Sequence, residues 1–313
     1  MRFSKSVTSA AVPAIMVVGL GVGQAAAGGV AVVTVPDWTG GIVSCQLLAN
    51  VLEREAGYRV NRVTIPSGAA TLEAMAGGDI DVGCELWPSY VGAKKKYFTE
   101  WGGDGSLVLL GENGLIGKSS YYVPRYLVQG TGAPAPGLRA FSDLARYTGL
   151  FSSLETGDRG RLIGCPVANW ECADQQRADD YGVPFDAVML GSEAAHWAEM
   201  QGAYKRGEAF VAYAWEPHWI HVELDLVALE LDDYGDGSAW PKSGWAVEPM
   251  LNYASREWVE ANPEAADIIR RSTLTNEQQN AMIYDIDIKG RDLNEVVDEW
   301  MAANEDVWKA WLN

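Results

Sequence analysis

Short apolar runs alternate with helical periodicity in the N-terminal half of the chain. Val30–Val35 is β-branched and predicts a buried strand. Apolar residues then recur at helical spacing until Gly57, a residue typical of helix C-caps. Tyr58–Ile65 and Ile80–Glu85 predict two further strands, with a short helix over Thr71–Ala76 between them. The order strand, helix, strand, helix, strand predicts βαβ units and a parallel sheet.

A second alternation follows, and the C-terminal part is mostly helical. From Ser255 on, helical patterns dominate; Asn262 and Pro263 fit an N-cap and the first helical position, and Thr275 begins a capping box closed by Gln278. The middle of the chain predicts strands over Tyr121–Val128, Ala209–Ala214 and Leu226–Leu231, and helices over Phe141–Tyr147, Cys172–Asp180 and Ser192–Arg206.

The overall charge excludes whole classes of partner. The 313 residues include 24 basic and 42 acidic side chains, for a net charge of -18. Nucleic acid and anionic lipid both need a basic surface, so neither is an expected partner. The length suits two lobes.

The N-terminus has the pattern of a secretory signal peptide. Arg2 and Lys5 precede an uncharged stretch over Ala10–Val22, and small residues around Ala25–Ala27 fit a cleavage site. The apolar part is too short for a membrane anchor, and no Cys follows it to carry a lipid. We therefore expect residues 1–27 to be removed and the mature protein to be periplasmic, without membrane insertion.

Export permits disulfides, and the chain has four cysteines. Four cysteines allow three connectivities, which the sequence alone does not separate. Cys165 and Cys172 are close in sequence and flank a turn-prone stretch, which favours pairing them and leaves Cys45 with Cys84. Buried free thiols are the alternative.

No motif predicts a metal, a cofactor or a catalytic centre. His218 and His221 lie three residues apart without a third ligand, and the cysteine spacing matches no common zinc site. A nucleophile elbow and a His-Glu-x-x-His motif are absent from the sequence. We therefore expect a protein that is not an enzyme. An exported carbohydrate-active hydrolase with Trp platforms and a purely structural secreted protein remain the alternatives.

Tryptophan is the strongest chemical signal. The chain has 13 Trp against 6 Phe. Trp87, Trp170 and Trp215 each follow a predicted strand and stand beside a Pro or a candidate disulfide. Interior packing is the alternative reading for any Trp. Three constrained indoles predict a rigid cage, and quaternary ammonium ions are the main ligands of such cages because they have no N–H and bind π-faces.

Several segments also resemble one known family. They are Gly57–Val60, Gly78–Val82, Gly164–Cys172, Tyr213–Trp219 and Val307–Leu312. In order and spacing they resemble the substrate-binding proteins of glycine betaine/proline betaine ABC importers, over nearly the whole mature chain.

The resemblance implies an α/β fold of the type II periplasmic-binding-protein class. Two lobes, each with a central sheet flanked by helices, would be joined by a hinge around a cleft. Lobe 1 would comprise residues 28–117 and 228–313, and lobe 2 residues 118–227. Trp87 would come from one lobe, Trp170 and Trp215 from the other, so that closure completes the cage.

The resemblance also implies the ligand and its contacts. Glycine betaine or a related quaternary ammonium compound would bind, with its carboxylate held by the backbone N–H groups of Glu171 and Cys172. These residues begin a predicted helix, whose N-terminus favours an anion. Asn169 is a candidate polar contact.

Choline is the rival ligand. Glu171, Glu85 and Glu216 place negative charge near the cage, which disfavours a ligand carboxylate. Trp38 and either Tyr121 or Tyr122 are candidates for extra walls, as in choline-binding relatives. In either case the closed monomer would dock on a membrane permease and deliver its ligand unchanged.

Overall fold

A computed structural model describes residues 28–90 and 92–313, and the expected signal peptide lies outside the described residues. The β-strands are β1 (Val30–Val35), β2 (Arg59–Thr64), β3 (Val82–Leu86), β4 (Leu107–Pro124), β5 (Gly160–Ile163), β6 (Phe185–Val188), β7 (Val211–Glu216), β8 (Leu226–Ala228) and β9 (Glu248–Ser255). The α-helices are α1 (Thr39–Arg54), α2 (Ala69–Ala76), α3 (Lys94–Tyr97), α4 (Arg125–Val128), α5 (Asp174–Asp180), α6 (Glu193–Lys205), α7 (Ile220–Glu223), α8 (Arg256–Ala261), α9 (Pro263–Arg271), α10 (Asn276–Asp287), α11 (Leu293–Ala303) and α12 (Glu305–Lys309). Four 3-10 segments cover Thr99–Trp101, Phe141–Leu150, Ala168–Trp170 and Ala310–Leu312.

The strands form two parallel groups joined by an antiparallel pair. The order is β2-β1-β3-β9-β4-β7-β5-β6, with β8 beside β4. Strand β1 runs parallel to β2 and β3, and β5 runs parallel to β6 and β7. Strand β4 pairs with β9 up to Gly117 and with β7 from Lys118 onward. One long strand therefore belongs to both groups.

Apolar side chains form two large clusters, one on each group of strands. The first contains Val33, Leu47 and Met250, and the second contains Tyr121 and Val211. A smaller third cluster, around Met75 and Tyr253, covers the other face of the first group. This is the mixed α/β architecture that the sequence predicts, with helices packed against central strands.

The segment after β8 belongs to the second cluster by its packing. Leu229 and Trp245 are buried there, and contacts with the first cluster resume at Met250 in β9. The lobe boundary expected at residue 228 therefore stays a prediction. The apolar packing favours a return of the chain to the first group of strands within β9.

Several elements differ from their sequence-based bounds. The strand expected over Tyr121–Val128 ends at Pro124, because proline has no N–H to continue the ladder, and Arg125–Val128 forms a helical turn. The helix expected from Cys172 begins at Asp174. The strand expected over Leu226–Leu231 stops at Ala228. The sequence analysis predicts no strand at four places where the structure has one: β5, β6, β9 and the first half of β4.

Both favoured disulfides are present. Cys45 in α1 is bonded to Cys84 in β3, and Cys165 is bonded to Cys172. The first ties a helix to the central strand that it covers. The second closes the short loop that carries Trp170.

Among the described residues, no helix combines the length and the hydrophobicity that crossing a bilayer requires.

Candidate functional site

A cleft lies between the two groups of strands, and its walls are mainly aromatic. It encloses ≈ 670 Å³, part of it open to solvent. Among the described residues, seven aromatic side chains line it: Trp38, Trp87, Tyr90, Trp170, Tyr213, Trp215 and Tyr253. We call it the aromatic cleft.

Local structure brings four indoles to this cleft. Trp38 follows β1 and is the N-cap residue of α1, and Trp87 directly follows β3. Trp170 ends the 3-10 turn inside the Cys165–Cys172 loop, and Trp215 lies in β7. The three Trp residues expected to form the cage therefore share one cavity with Trp38, the expected extra wall.

The indoles meet edge to face. The ring centroids of Trp38 and Trp170 are 6.0 Å apart with the planes at 83°. Those of Trp170 and Trp215 are 5.2 Å apart at 78°. On the opposite side, Trp87 packs on Tyr90 at 5.7 Å and 85°. In each pair the positive edge of one ring contacts the negative face of the other, which holds the rings at fixed angles around the cleft.

Tyr121 and Tyr122 do not line the cleft, so they are not its extra walls. Tyr121 is fully buried, stacks on Phe141 at 4.7 Å and donates a hydrogen bond to Asp174. Tyr122 is buried, with its hydroxyl 3.4 Å from Glu216. Successive residues of β4 point to opposite faces, and both faces are covered at this point.

Tyr90, Tyr213 and Tyr253 are the tyrosines among the described residues that line the cleft, and the sequence predicted none of them. The hydroxyls of Tyr90 and Tyr213 are 2.8 Å apart and share a hydrogen bond. Tyr213 lies two residues before Trp215 on β7, so the period of two could have placed it on the same face. Tyr90 follows a turn after Trp87, for which no periodic signal exists.

Asp37 links the Trp170 turn to the end of β1. Its carboxylate accepts hydrogen bonds from Asn169 Nδ2 at 2.8 Å and from Trp170 Nε1 at 3.2 Å. The Ser67 hydroxyl also donates to it. Asn169 lines the cleft as expected, but its amide group is engaged with Asp37 and the Ser67 carbonyl. These contacts cross between the two groups of strands.

The expected anion contact has little geometric support in this structure. Glu171 is left-handed at φ 55°, and its N–H donates to the Ala168 carbonyl at 3.1 Å. Helix α5 begins two residues after Cys172, and neither Glu171 nor Cys172 is among the described residues lining the cleft. The Glu171 carboxylate instead accepts from the Gly92 N–H at 3.2 Å. A role for these N–H groups in ligand binding stays a prediction.

Glu85 places a buried carboxyl group against two of the indoles. Its Oε1 accepts from Trp38 Nε1 at 3.2 Å and from Trp87 Nε1 at 3.3 Å. Its Oε2 accepts from Ser44 Oγ at 2.8 Å and from Gln279 Nε2 at 2.6 Å. Burial raises the pKa of Glu85, and the four donors oppose this shift by stabilising the anion.

A second polar group joins the two halves at the N-terminus of α1. Thr39 donates to Glu193 Oε2 through its N–H at 2.7 Å and to Asp287 Oδ1 through its hydroxyl at 2.9 Å. Trp197 Nε1 donates to Glu193, and Trp219 Nε1 donates to Asp287. Burial raises the pKa of Glu193 to about 7. One buried and one partly buried carboxyl group thus meet at one helix N-terminus.

The tautomer of His218 argues against a metal at this group. His218, Glu193 and Asp287 lie close enough for one ion. However, His218 Nδ1 accepts the Ile220 N–H, so Nε2 carries the proton of the neutral ring and has no lone pair for a metal. Burial lowers the pKa of His218 to about 3, so the ring is neutral. The other close group includes the Cys165–Cys172 disulfide, whose sulfurs are already bonded to each other.

Comparison with known proteins places the chain among transport proteins. Residues 31–303 match the family model described as the substrate binding domain of ABC-type glycine betaine transport system. The chain is 30% identical over 139 residues to the glycine betaine/proline betaine-binding periplasmic protein of Escherichia coli strain K12. It is 27% identical over 173 residues to the glycine betaine-binding periplasmic protein OusX of Dickeya dadantii. These alignments cover 39% and 49% of this chain, and 42% and 52% of the relatives, about half their length.

Solved structures share the fold over nearly all of the chain. The glycine betaine, L-proline-binding protein ProX of Borrelia burgdorferi superposes with a TM-score of 0.71 at 18% identity, covering 91% of this chain and 97% of that one. A choline-binding protein of an ABC transporter, in complex with choline, superposes with a TM-score of 0.72 at 18% identity, covering 90% and 91%. The fold is therefore that of type II periplasmic binding proteins.

Proposed function

Because the chain belongs to the family of substrate-binding domains of ABC-type glycine betaine transport systems, we propose that it captures glycine betaine or a related quaternary ammonium compound in the aromatic cleft. The observation that carries the proposal is the convergence of Trp38, Trp87, Trp170 and Trp215 on one cavity. A quaternary ammonium group has no N–H to donate, so indole faces are its natural partners.

Cation–π contacts of ordinary strength are sufficient for micromolar binding of such a ligand. Each desolvated cation–π contact contributes about 2 kcal/mol, so three contribute about 6 kcal/mol before ordering costs. A ligand of about eight heavy atoms has a ceiling near -12 kcal/mol. Micromolar binding corresponds to about -8 kcal/mol and is within this range. No covalent chemistry is needed, which fits a carrier rather than an enzyme.

Closure of two lobes would complete the site. We take the lobes to be the two groups of strands, connected through β4 near Gly117 and through β9 near Met250. Contacts of Asp37 with Asn169 and Trp170 cross the cleft and would form on closure. Ligand contacts to both lobes then favour the closed form over the open one.

Export and delivery complete the proposal. With residues 1–27 removed as a signal peptide, the monomer would work in the periplasm, where disulfides are stable. The closed, loaded form would dock on the membrane permease of an ABC importer. Release into the permease would return the protein to its open form.

Replacing Trp215 with alanine tests the site. We expect the Trp215→Ala protein to bind its onium ligand about 30-fold more weakly than the wild type, because one cation–π contact is lost. Calorimetric titration of the mature protein with glycine betaine, choline and an oligosaccharide measures the effect. Trp101→Ala, which changes a tryptophan outside the cleft, is the control.

Two results would contradict the proposal. Unchanged onium binding by Trp215→Ala would remove this indole from the site. Binding or turnover of the oligosaccharide, with no response to either onium compound, would favour the hydrolase instead.

A further inference from the structure

We propose that Glu85 determines which ligand charge the aromatic cleft accepts, selecting onium ligands of net positive charge over zwitterions that carry their own carboxylate. The inference rests on the proposed function of the cleft and deepens it from a family of ligands to one charge class. Choline stands for the favoured class, and glycine betaine for the other.

The Glu85 carboxylate is coupled directly to two indoles of the cleft. One oxygen, Oε1, accepts the N–H groups of both Trp38 and Trp87, at 3.2 and 3.3 Å. A negative acceptor on an indole N–H shifts electron density into the ring, which makes the ring face more attractive to a cation. Glu85 thus fixes the orientation of both rings and strengthens their cation–π contacts.

The donors around Glu85 match a carboxylate better than a carboxylic acid. An ionised carboxyl group has about four acceptor positions, and four donors surround this one. The two indole N–H groups cannot accept a proton. Gln279 Nε2 also donates to the Gly40 carbonyl at 3.1 Å, which fixes its amide with the N–H side toward Glu85. A bound cation would add to the same stabilisation of the anion.

The backbone at Glu85 is also unusual. Its φ is 67°, in the left-handed region that glycine prefers, although Glu has a Cβ. Such a conformation persists only when surrounding contacts determine it, and it is concentrated at functional positions. In this conformation the Glu85 carboxyl group contacts both Trp38 and Trp87.

A ligand carboxylate would find no opposite charge in the cleft. Of the described residues that line it, none is Lys, Arg or His, and Glu85 is the only Asp or Glu. Two further acids lie at the Trp170 turn. Asp37 accepts the Trp170 Nε1–H, and Glu171, the next residue in the chain, accepts the Gly92 N–H. The N–H of Glu171 is engaged within its own turn. Like charges in a desolvated site repel strongly, so these acids oppose an anionic group.

Three probes of nearly equal shape test the proposal. Choline is a cation, glycine betaine is a zwitterion, and 3,3-dimethyl-1-butanol is a neutral isostere of choline. Calorimetry on the mature wild type should give tighter binding for choline than for glycine betaine. In Glu85→Gln, choline should bind at least about tenfold more weakly, while glycine betaine binds equally or better and the neutral probe is unchanged.

The control is Asp81→Asn, which removes a carboxylate at the opposite end of β3, where it accepts the Val32 N–H. This variant should keep the wild-type preference. A wild type that prefers glycine betaine would overturn the proposal. Because this comparison uses only the wild type, it remains possible even if Glu85→Gln does not fold. An equal loss for all three probes would also overturn it, because Glu85 would then only position the indoles. If the wild type binds neither onium compound, the proposed function itself fails.

Discussion

The missing side chain of Gly117 makes room for Trp87, one of the indoles of the aromatic cleft. Gly117 lies on β4 where the strand passes from one group of strands to the other. A Cβ at this position would meet Trp87 Cζ3 at 2.5 Å and Met250 Cε at 2.9 Å. Glycine therefore allows the Trp87 ring to approach the strand closely.

Adding that methyl group should move Trp87 and weaken ligand binding. We expect Gly117→Ala to lower onium affinity about tenfold, because overpacking of this kind costs about 1–3 kcal/mol and the ring is part of the cleft. Titration by tryptophan fluorescence checks the affinity. Gly149→Ala, where a Cβ meets nothing within 4 Å, is the control. Equal affinities for both variants would contradict this account.

Helices α1 and α6 contact each other through their N-terminal residues, Thr39 and Glu193. The N-terminus of α1 holds the Glu193 carboxyl group from α6 through the Thr39 N–H. Glu193 is buried, and its pKa is raised to about 7 from the ordinary 4.5. A carboxyl group with a raised pKa binds its proton more tightly in the folded state than in the unfolded chain. Its contribution to stability is therefore present below pH 4.5 and lost as the pH rises through about 7.

Replacing Glu193 with glutamine should remove this pH dependence. We expect the free energy of unfolding of Glu193→Gln, relative to wild type, to rise by about 2–3 kcal/mol between pH 5 and pH 8. Urea unfolding across that range measures the difference, and a constant offset from altered hydrogen bonds does not affect it. Glu199→Gln, on the same helix with a half-exposed carboxylate paired to Arg161, should show no such slope. Parallel curves for Glu193→Gln and wild type would contradict the expectation.

At the scale of the whole molecule, hydrogen bonds across the cleft join the two groups of strands. Asp37 joins the end of β1 to Asn169 and Trp170, which belong to the other group of strands. Strand β4 runs through both groups, and the chain returns to the first group where it enters β9. We propose that the molecule opens by a hinge motion at these two connections, with each apolar cluster kept intact.

Removing the Asp37 carboxylate should favour the open form. We expect the radius of gyration of wild type to fall when an onium ligand binds, and Asp37→Ala to need about tenfold more ligand for the same change, because hydrogen bonds to a charged group contribute about 1.5–3 kcal/mol. Small-angle X-ray scattering during a ligand titration measures this. Asp79→Ala, an exposed aspartate at the other end of the strands, should behave like wild type. A compact Asp37→Ala protein without ligand would argue against the bridge.

Local patterns in the sequence were sufficient to predict many of the elements and the tryptophans that line the cleft. β-Branched runs predict β1 and β3, and strand-end positions point to Trp38 and Trp87, because side-chain periodicity is a local property. The spacing of Cys165 and Cys172 favours the bond that closes the Trp170 loop, and the capping box at Thr275 is confirmed. The charge argues against nucleic acid and anionic lipid as partners, and the strand-end tryptophans predict a ligand with a quaternary ammonium group.

The remaining residues that line the cleft could be identified only from the folded structure. Tyr90 and Tyr213 line it, whereas Tyr121 is buried elsewhere, because the covered faces of β4 depend on distant helices and strands. Glu85 is connected to Gln279 across 194 positions of sequence, and Thr39 to Glu193 across 154. Local patterns carry no information on such pairs. Hydrogen bonds and packing between remote segments exist only once the chain has folded, and they set the charge and the shape of the site.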